Sequence, residues 1–191
     1  MQRPGRPEPR SLLDDQPVIA SDRIPARDGS QPVTEAELWA LLDEVKDPEV
    51  PAVSVVELGM VRRIAEEGGE WVVDVTPTYS GCPATEMIEA SIEAALRLAG
   101  LRNGRVHRVL SPSWTTDWIT EAGRRKLQAF GIAPPVGSAS KLTLKGVVET
   151  ISCPHCASDH TERVSEFGST ACKALYRCLD CREPFDYFKC L

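Results

Sequence analysis

Cys153-Pro154-His155-Cys156 and Cys178-Leu179-Asp180-Cys181 repeat one spacing near the end of the chain. In each, a tight turn aims two sulfurs at a common point. Two such turns build a tetrahedron of thiolates, the shell a d10 cation accepts. Residues from about 142 onward alternate like short strands around the pairs. Roughly forty residues cannot bury enough surface to fold alone, whereas structural zinc typically contributes on the order of 10 to 16 kcal/mol in small zinc peptides. The spacing therefore predicts a small β zinc ribbon over 142–191, with Cys153, Cys156, Cys178 and Cys181 as ligands. Mononuclear iron or an iron-sulfur cluster also suits a sulfur-only site, and both stay open as alternatives. His155 and His160 read as bystanders. Cys172 and Cys190 read as buried small hydrophobes or as substitute ligands.

Working outward from the ribbon, Ala133-Pro-Pro-Val-Gly-Ser-Ala-Ser140 has the composition of a linker, placed at 134–141. The residues before it, 33–133, carry the pattern of a second unit. Thr34 with Glu37 forms a capping box, and Val33 can staple against Leu38. Leu38, Leu41, Leu42 and Val45 then mark one face of a helix ending near Lys46. A strand over Val61–Ala65, the turn pair Gly68-Gly69 and a strand over Trp71–Thr76 make a hairpin. Pro83 fits the first position of a helix whose buried stripe is Ile88, Ile92, Ala95, Leu96 and Ala99, stopped by Gly100. A strand near 105–110 and a helix over 117–130 complete the order α-β-β-α-β-α. The economical architecture is α+β, a small mixed sheet covered by helices. Residues 1–32 are rich in Pro, Arg and Asp with sparse apolar side chains, and read as a disordered leader.

Composition narrows the function classes. The chain has 191 residues and a formal net charge of -6, with Lys and Arg scattered, so no electrostatic footprint for nucleic acid is present. No stretch approaches the roughly 18 apolar residues of a membrane helix, and no signal-peptide core follows the first arginines. The expected compartment is the cytoplasm, where two CxxC pairs among seven cysteines point to metal rather than to disulfides. A Gly-rich dinucleotide fingerprint and the paired Glu and Glu-x-x-His helices of a di-iron bundle are both missing from the sequence.

Cys82 stands apart from the ribbon, just before a proline-started helix. Unpaired backbone amides and the positive end of the helix dipole should ease its ionisation. A thiolate there can ligate soft metal or attack an electrophile, and Thr78, Tyr79, Ser80 and Thr85 supply hydroxyls that can steady bound sulfide or iron. The same position also suits a buried cap. Read alone, Asp47-Pro48-Glu49 is a turn with its carboxylates in solvent, and Glu57 reads the same way. Trp114 and Trp118 suit core packing, packing between units, or a partner surface.

Three runs, Val45-Lys-Asp-Pro-Glu-Val-Pro51, Glu57-Leu-Gly-Met-Val61 and Thr76-Pro-Thr-Tyr-Ser-Gly-Cys-Pro83, together resemble the iron-sulfur maturation domain of SufT-like proteins over about 34–135. Phe167-Gly-Ser-Thr-Ala-Cys-Lys-Ala-Leu-Tyr-Arg-Cys178 and Glu183-Pro-Phe-Asp-Tyr-Phe-Lys-Cys190 resemble the tail of the D-subunit family of phenylacetyl-CoA epoxidase systems. The resemblance implies an accessory role in aerobic phenylacetate degradation. In that role the α+β unit handles iron or a transient iron-sulfur cluster, and the partners are other epoxidase subunits, including the iron-sulfur flavin reductase. It implies Cys82 as a metal or cluster ligand with Asp47 as its polar neighbour, and it draws Cys172 and Cys190 toward a ligand role. A non-catalytic structural component of the assembled oxygenase is the competing expectation. No oligomeric state follows from the sequence.

Overall fold

The computed structural model describes residues 32–79, 81–136 and 150–189. The expected leader, Ser80, most of the expected linker and Cys190 lie outside the described residues. Helix α1, Glu35–Asp43, opens on the predicted capping box: Glu37 N donates to Thr34 Oγ1 at 3.3 Å, and Thr34 N donates to Glu37 Oε2 at 2.8 Å. It buries Leu38 and Leu42. It stops short of Lys46, because the loop that follows claims the next backbone groups. Lys46 bridges Ser54, and Asp47 N donates to Val53 O at 3.1 Å.

Strands β1 (Val61–Glu67) and β2 (Glu70–Val75) form the predicted antiparallel hairpin. Gly68 and Gly69 turn it at φ 61° and 84°, a region open mainly to glycine. Helix α2, Ala84–Leu98, crosses over to β3 (Arg105–Arg108), which lies parallel to β2, giving the order β1-β2-β3. The sheet's Ile64, Val73 and Val75 share one apolar core with α1 and with Ile88, Ile92 and Leu96 of α2.

The helix expected over 117–130 is broken. A 3-10 turn, Thr116–Trp118, is separated from α3, Glu121–Ala129, by an extended Ile119. Extension there buries Ile119, and the Thr120 hydroxyl restarts the helix by accepting from Gly123 N at 3.0 Å.

A second sheet runs β4-β7-β6-β5, from β4 (Ile132–Ala133), β5 (Thr161–Ser165), β6 (Lys173–Cys178) and β7 (Pro184–Phe188). β5, β6 and β7 are antiparallel neighbours, whereas β4 pairs in parallel with β7, Ile132 opposite Asp186. The segment just after α3 thus joins the ribbon's sheet. Phe188 and Cys172 belong to the same core as α1 and α2, and Phe188 lies 6.0 Å from the ring of Trp114. The Trp114 indole N–H donates to Leu58 O at 2.9 Å, so the tryptophan is anchored in the first layer while its ring meets the ribbon. Trp118 instead lies half-buried under the Arg62 guanidinium, 3.5 Å from its ring centre. Among the described residues no helix is long and apolar enough to cross a membrane.

Candidate functional site

The two CxxC turns are built alike. Cys153 N donates to Ser158 O at 2.8 Å and Cys178 N to Glu183 O at 3.0 Å, at the same offset in each turn. The residue after each second cysteine, Ala157 and Arg182, takes positive φ, 59° and 68°. The four sulfurs all lie within 4.8 Å of one another. Zinc–sulfur bonds of about 2.3 Å set the tetrahedral edge at about 3.8 Å. Cys153 and Cys181 stand 3.7 Å apart, and Cys156 and Cys178 3.6 Å, so the quartet fits a single zinc ion. The backbone N–H of Cys181, donating to Cys178, draws that thiol down to about 6 against the cost of burial. Cys181 also accepts from a backbone N–H, that of Glu183, but burial and its three sulfur neighbours push it up to about 12. Zinc, when bound, supplies a structural crosslink between the turns. His155 and His160 stand outside the quartet, His160 facing Asp180 at 3.2 Å.

A second cluster forms where the ribbon meets the α+β layer. Asp47, Glu49, Thr78, Cys82, Thr85 and Cys172 line one small cavity of about 10 Å3, floored by Met60, Ile88 and Phe188. Asp47 is held in an Asx turn, its Oδ1 accepting from Glu49 N at 2.8 Å and Val50 N at 2.9 Å. Cys82 sits one residue outside Pro83, which occupies the N-cap of α2 rather than its first turn. On the ribbon side, the Thr170 hydroxyl stands 3.0 Å from Cys172 Sγ and also bonds Glu49. Lys173, next in the chain, is buried, with Nζ 3.6 Å from Asp186 Oδ2.

A protein of Escherichia coli (strain K12), provisionally named as the D subunit of 1,2-phenylacetyl-CoA epoxidase, is 52% identical over 155 residues, covering 81% of this chain and 92% of that protein. The chain belongs to this D-subunit family. Two family models match within it, a PaaD zinc beta ribbon domain at residues 137–189 and an iron-sulfur cluster assembly protein at residues 35–108. A domain of unknown function from Bacillus anthracis is 27% identical with a TM-score of 0.45, covering 49% of this chain and 90% of that one. A conserved hypothetical protein of Thermotoga maritima is 30% identical with a TM-score of 0.44, covering 51% of this chain and 97% of that one. A Mycobacterium tuberculosis protein described as associated with Fe-S complex assembly and repair is 29% identical with a TM-score of 0.31, covering 56% and 96%.

Of the residues singled out from the sequence of this D-subunit family member, Cys82, Asp47, Thr78, Thr85 and Cys172 meet at one cavity, and Cys190 lies outside the described residues. Two expectations need correction. Cys82 does receive backbone N–H groups from Ala84 and Thr85, as its place before the helix implied. Burial outweighs them, and with Glu49 and Asp47 nearby the thiol is raised above its ordinary value. Nor do Asp47 and Glu57 face solvent, whereas Glu49 is half-buried. Asp47 is buried, which raises its carboxyl despite its two backbone donors and Lys173. Glu57 is buried too, accepting from Ser54 N at 3.0 Å and paired with Lys126 at 2.5 Å. Sequence reasoning passed over Glu49 and Lys173 as site residues. The signal for Glu49 was its place two residues after Asp47, and Lys173 gave none beyond adjacency to Cys172.

Proposed function

We propose that this chain is an accessory component of a phenylacetyl-CoA epoxidase system, one that assists delivery of iron or an iron-sulfur centre to the oxygenase or reductase components. Cys82 is the handling thiol, with Asp47, Thr78 and Thr85 around it. The ribbon, closed on zinc by Cys153, Cys156, Cys178 and Cys181, is a docking and bracing module without chemistry of its own. A division into an α+β unit over 33–133, a linker over 134–141 and a ribbon over 142–191 belongs to the same proposal.

One observation carries the reading: a thiol, a buried carboxyl and two hydroxyls converge on one cavity in a chain whose relative is an epoxidase component by name. A soft and a hard donor lining one cavity suit a metal such as iron. The competing reading, a purely structural component, draws on the burial that raises the Cys82 thiol. Cys82→Ser separates the two. In cells carrying the variant, iron and cluster content of the purified oxygenase and reductase components should fall, while the amount of assembled complex stays the same. Unchanged metal content in the components would leave the scaffold reading standing alone.

A further inference from the structure

The four ribbon sulfurs are not equally sheltered. Cys178 is 0% exposed and Cys153 1%, Cys181 is half-buried, and Cys156 lies open to solvent. Among the described residues Cys156 is the one exposed cysteine, since Cys172 is buried and Cys82 half-buried. The exposure comes with the turn that carries it, in which His155 and Ala157, the latter at φ 59°, are exposed too. The tip of that turn also meets the α+β layer. A Cβ added to Gly131, just past α3, would stand 3.2 Å from a carbon of the His155 ring, so the ring lies against the glycine. One knuckle thus offers a sulfur to solvent and a contact to the rest of the molecule.

We propose that Cys156 is an oxidation site at which a hydroperoxide opens the zinc ribbon, by forming a Cys156–Cys178 disulfide, and so releases the ribbon from the α+β layer. The inference rests on the reading of the quartet as a zinc site. It goes beyond a bracing role, because a brace built this way can be undone and restored.

Three properties converge on this sulfur. Ligation keeps it a thiolate at neutral pH, the nucleophilic form. Exposure admits an oxidant that cannot reach Cys153 or Cys178. A resolving sulfur stands beside it, that of Cys178 at 3.6 Å. The Cys156 thiolate attacks one peroxide oxygen, forming an S–O bond as the O–O bond breaks and hydroxide leaves. The Cys178 thiolate then attacks the oxidised sulfur, forming the S–S bond and expelling its oxygen as a second hydroxide. Two thiolates have given up two electrons, and the peroxide is reduced to two hydroxides. Cys153 and Cys181 remain, too few donors for a closed tetrahedral site. The effect reaches the contact between the layers. Cys178 is the last residue of β6, β6 pairs with β7, and Phe188 of β7 sits in the core of α1 and α2. Without its metal crosslink the ribbon has too little interior to hold Phe188 and His155 in place.

The test treats the full zinc-bearing chain with hydrogen peroxide beside a chromogenic zinc chelator, with disulfides mapped by mass spectrometry. Zinc release should run in step with formation of the Cys156–Cys178 disulfide. Maleimide labelling at Cys172, buried in the intact molecule, should rise by about tenfold or more, and a thiol reductant with added zinc should reverse all three changes. Cys156→His keeps four donors and removes the open sulfur. Zinc content equal to wild type reports that the variant is folded, and its release by peroxide should slow by about tenfold or more. Where that variant holds no zinc, the wild-type disulfide map decides by itself. Zinc release without a disulfide at Cys156, oxidation first at Cys82 or Cys172, wild-type release by Cys156→His, or release that leaves Cys172 closed to labelling would each overturn the proposal. A chain that carries no zinc before peroxide is added overturns the zinc reading and this inference with it. A zinc-bearing chain that peroxide leaves intact sinks this inference alone.

Discussion

Phe188→Ala isolates the contact that holds the ribbon against the rest of the molecule. The ring is 2% exposed, lies in the core shared with α1 and α2, and packs 6.0 Å from Trp114, yet it belongs to a strand of the ribbon's sheet. Truncating a buried phenylalanine costs about 3–5 kcal/mol, and loss of an aromatic pair accounts for about 0.5–1.5 kcal/mol of that kind of deficit. A value of about 4 kcal/mol is therefore expected, a large share of the roughly 5–15 kcal/mol of a typical domain. Its consequence should be local. Cys172 is 7% exposed and sits on the same contact, so opening of the ribbon is what lets reagents reach it. About 4 kcal/mol corresponds to a population of opened molecules roughly a thousandfold larger. Urea unfolding at saturating zinc measures the first quantity, and the rate of thiol labelling at Cys172, read by mass spectrometry, measures the second. A loss below about 1 kcal/mol, or unchanged labelling of Cys172, would refute the idea that Phe188 braces the two layers.

Two further outcomes follow from single positions. Gly59 has φ 66°, and a Cβ there would stand 2.4 Å from Trp118 O, so Gly59→Ala should cost about 3 kcal/mol and lower the thermal midpoint by on the order of 10 °C in a calorimeter. For Asp47, burial holds the folded carboxyl above its ordinary 3.8, so between the unfolded and folded values the native state binds the extra proton. The stability this contributes is present below the unfolded value and lost as pH rises through the folded one. Asp47→Asn keeps an acceptor for Glu49 N and Val50 N. Its denaturation midpoint should equal or exceed wild type at pH 7 without added iron, with a flatter decline on raising pH from about 4. A steeper decline in the variant would contradict the burial argument.

What the sequence made legible was local. The capping box at Thr34 and Glu37, the Gly68-Gly69 turn and the two CxxC turns each lie within a few residues, and each has one dominant geometry. Two sites of local competition misled the reading. Thr120 offers a fresh cap in the middle of a helical pattern, and the side chain of Ile119 gains more from burial in an extended backbone than from one continuous helix. At Cys82 the helix terminus does what its position predicts, but the desolvation that overrides it comes from residues remote in sequence. The pairing of β4 with β7, and the arrival of Cys172 beside Asp47, depend on contacts across the whole ribbon. No periodicity within one segment encodes them.

β6 also works as a ruler. Cys172 stands just before its first residue, at the cavity, and Cys178 is its last, in the sulfur quartet, about 20 Å away at the rise of an extended chain. Within β6 the faces alternate, and Ala174, Tyr176 and Cys178 turn to the ribbon's own apolar cluster, while Cys172, ahead of the strand, turns to the core of α1 and α2. Deleting one residue from β6 would shorten that spacing by about 3.3 Å and throw one end of the strand out of register with β7. Lineages carrying this strand are therefore free to vary its outward side chains, but its length should resist insertion and deletion.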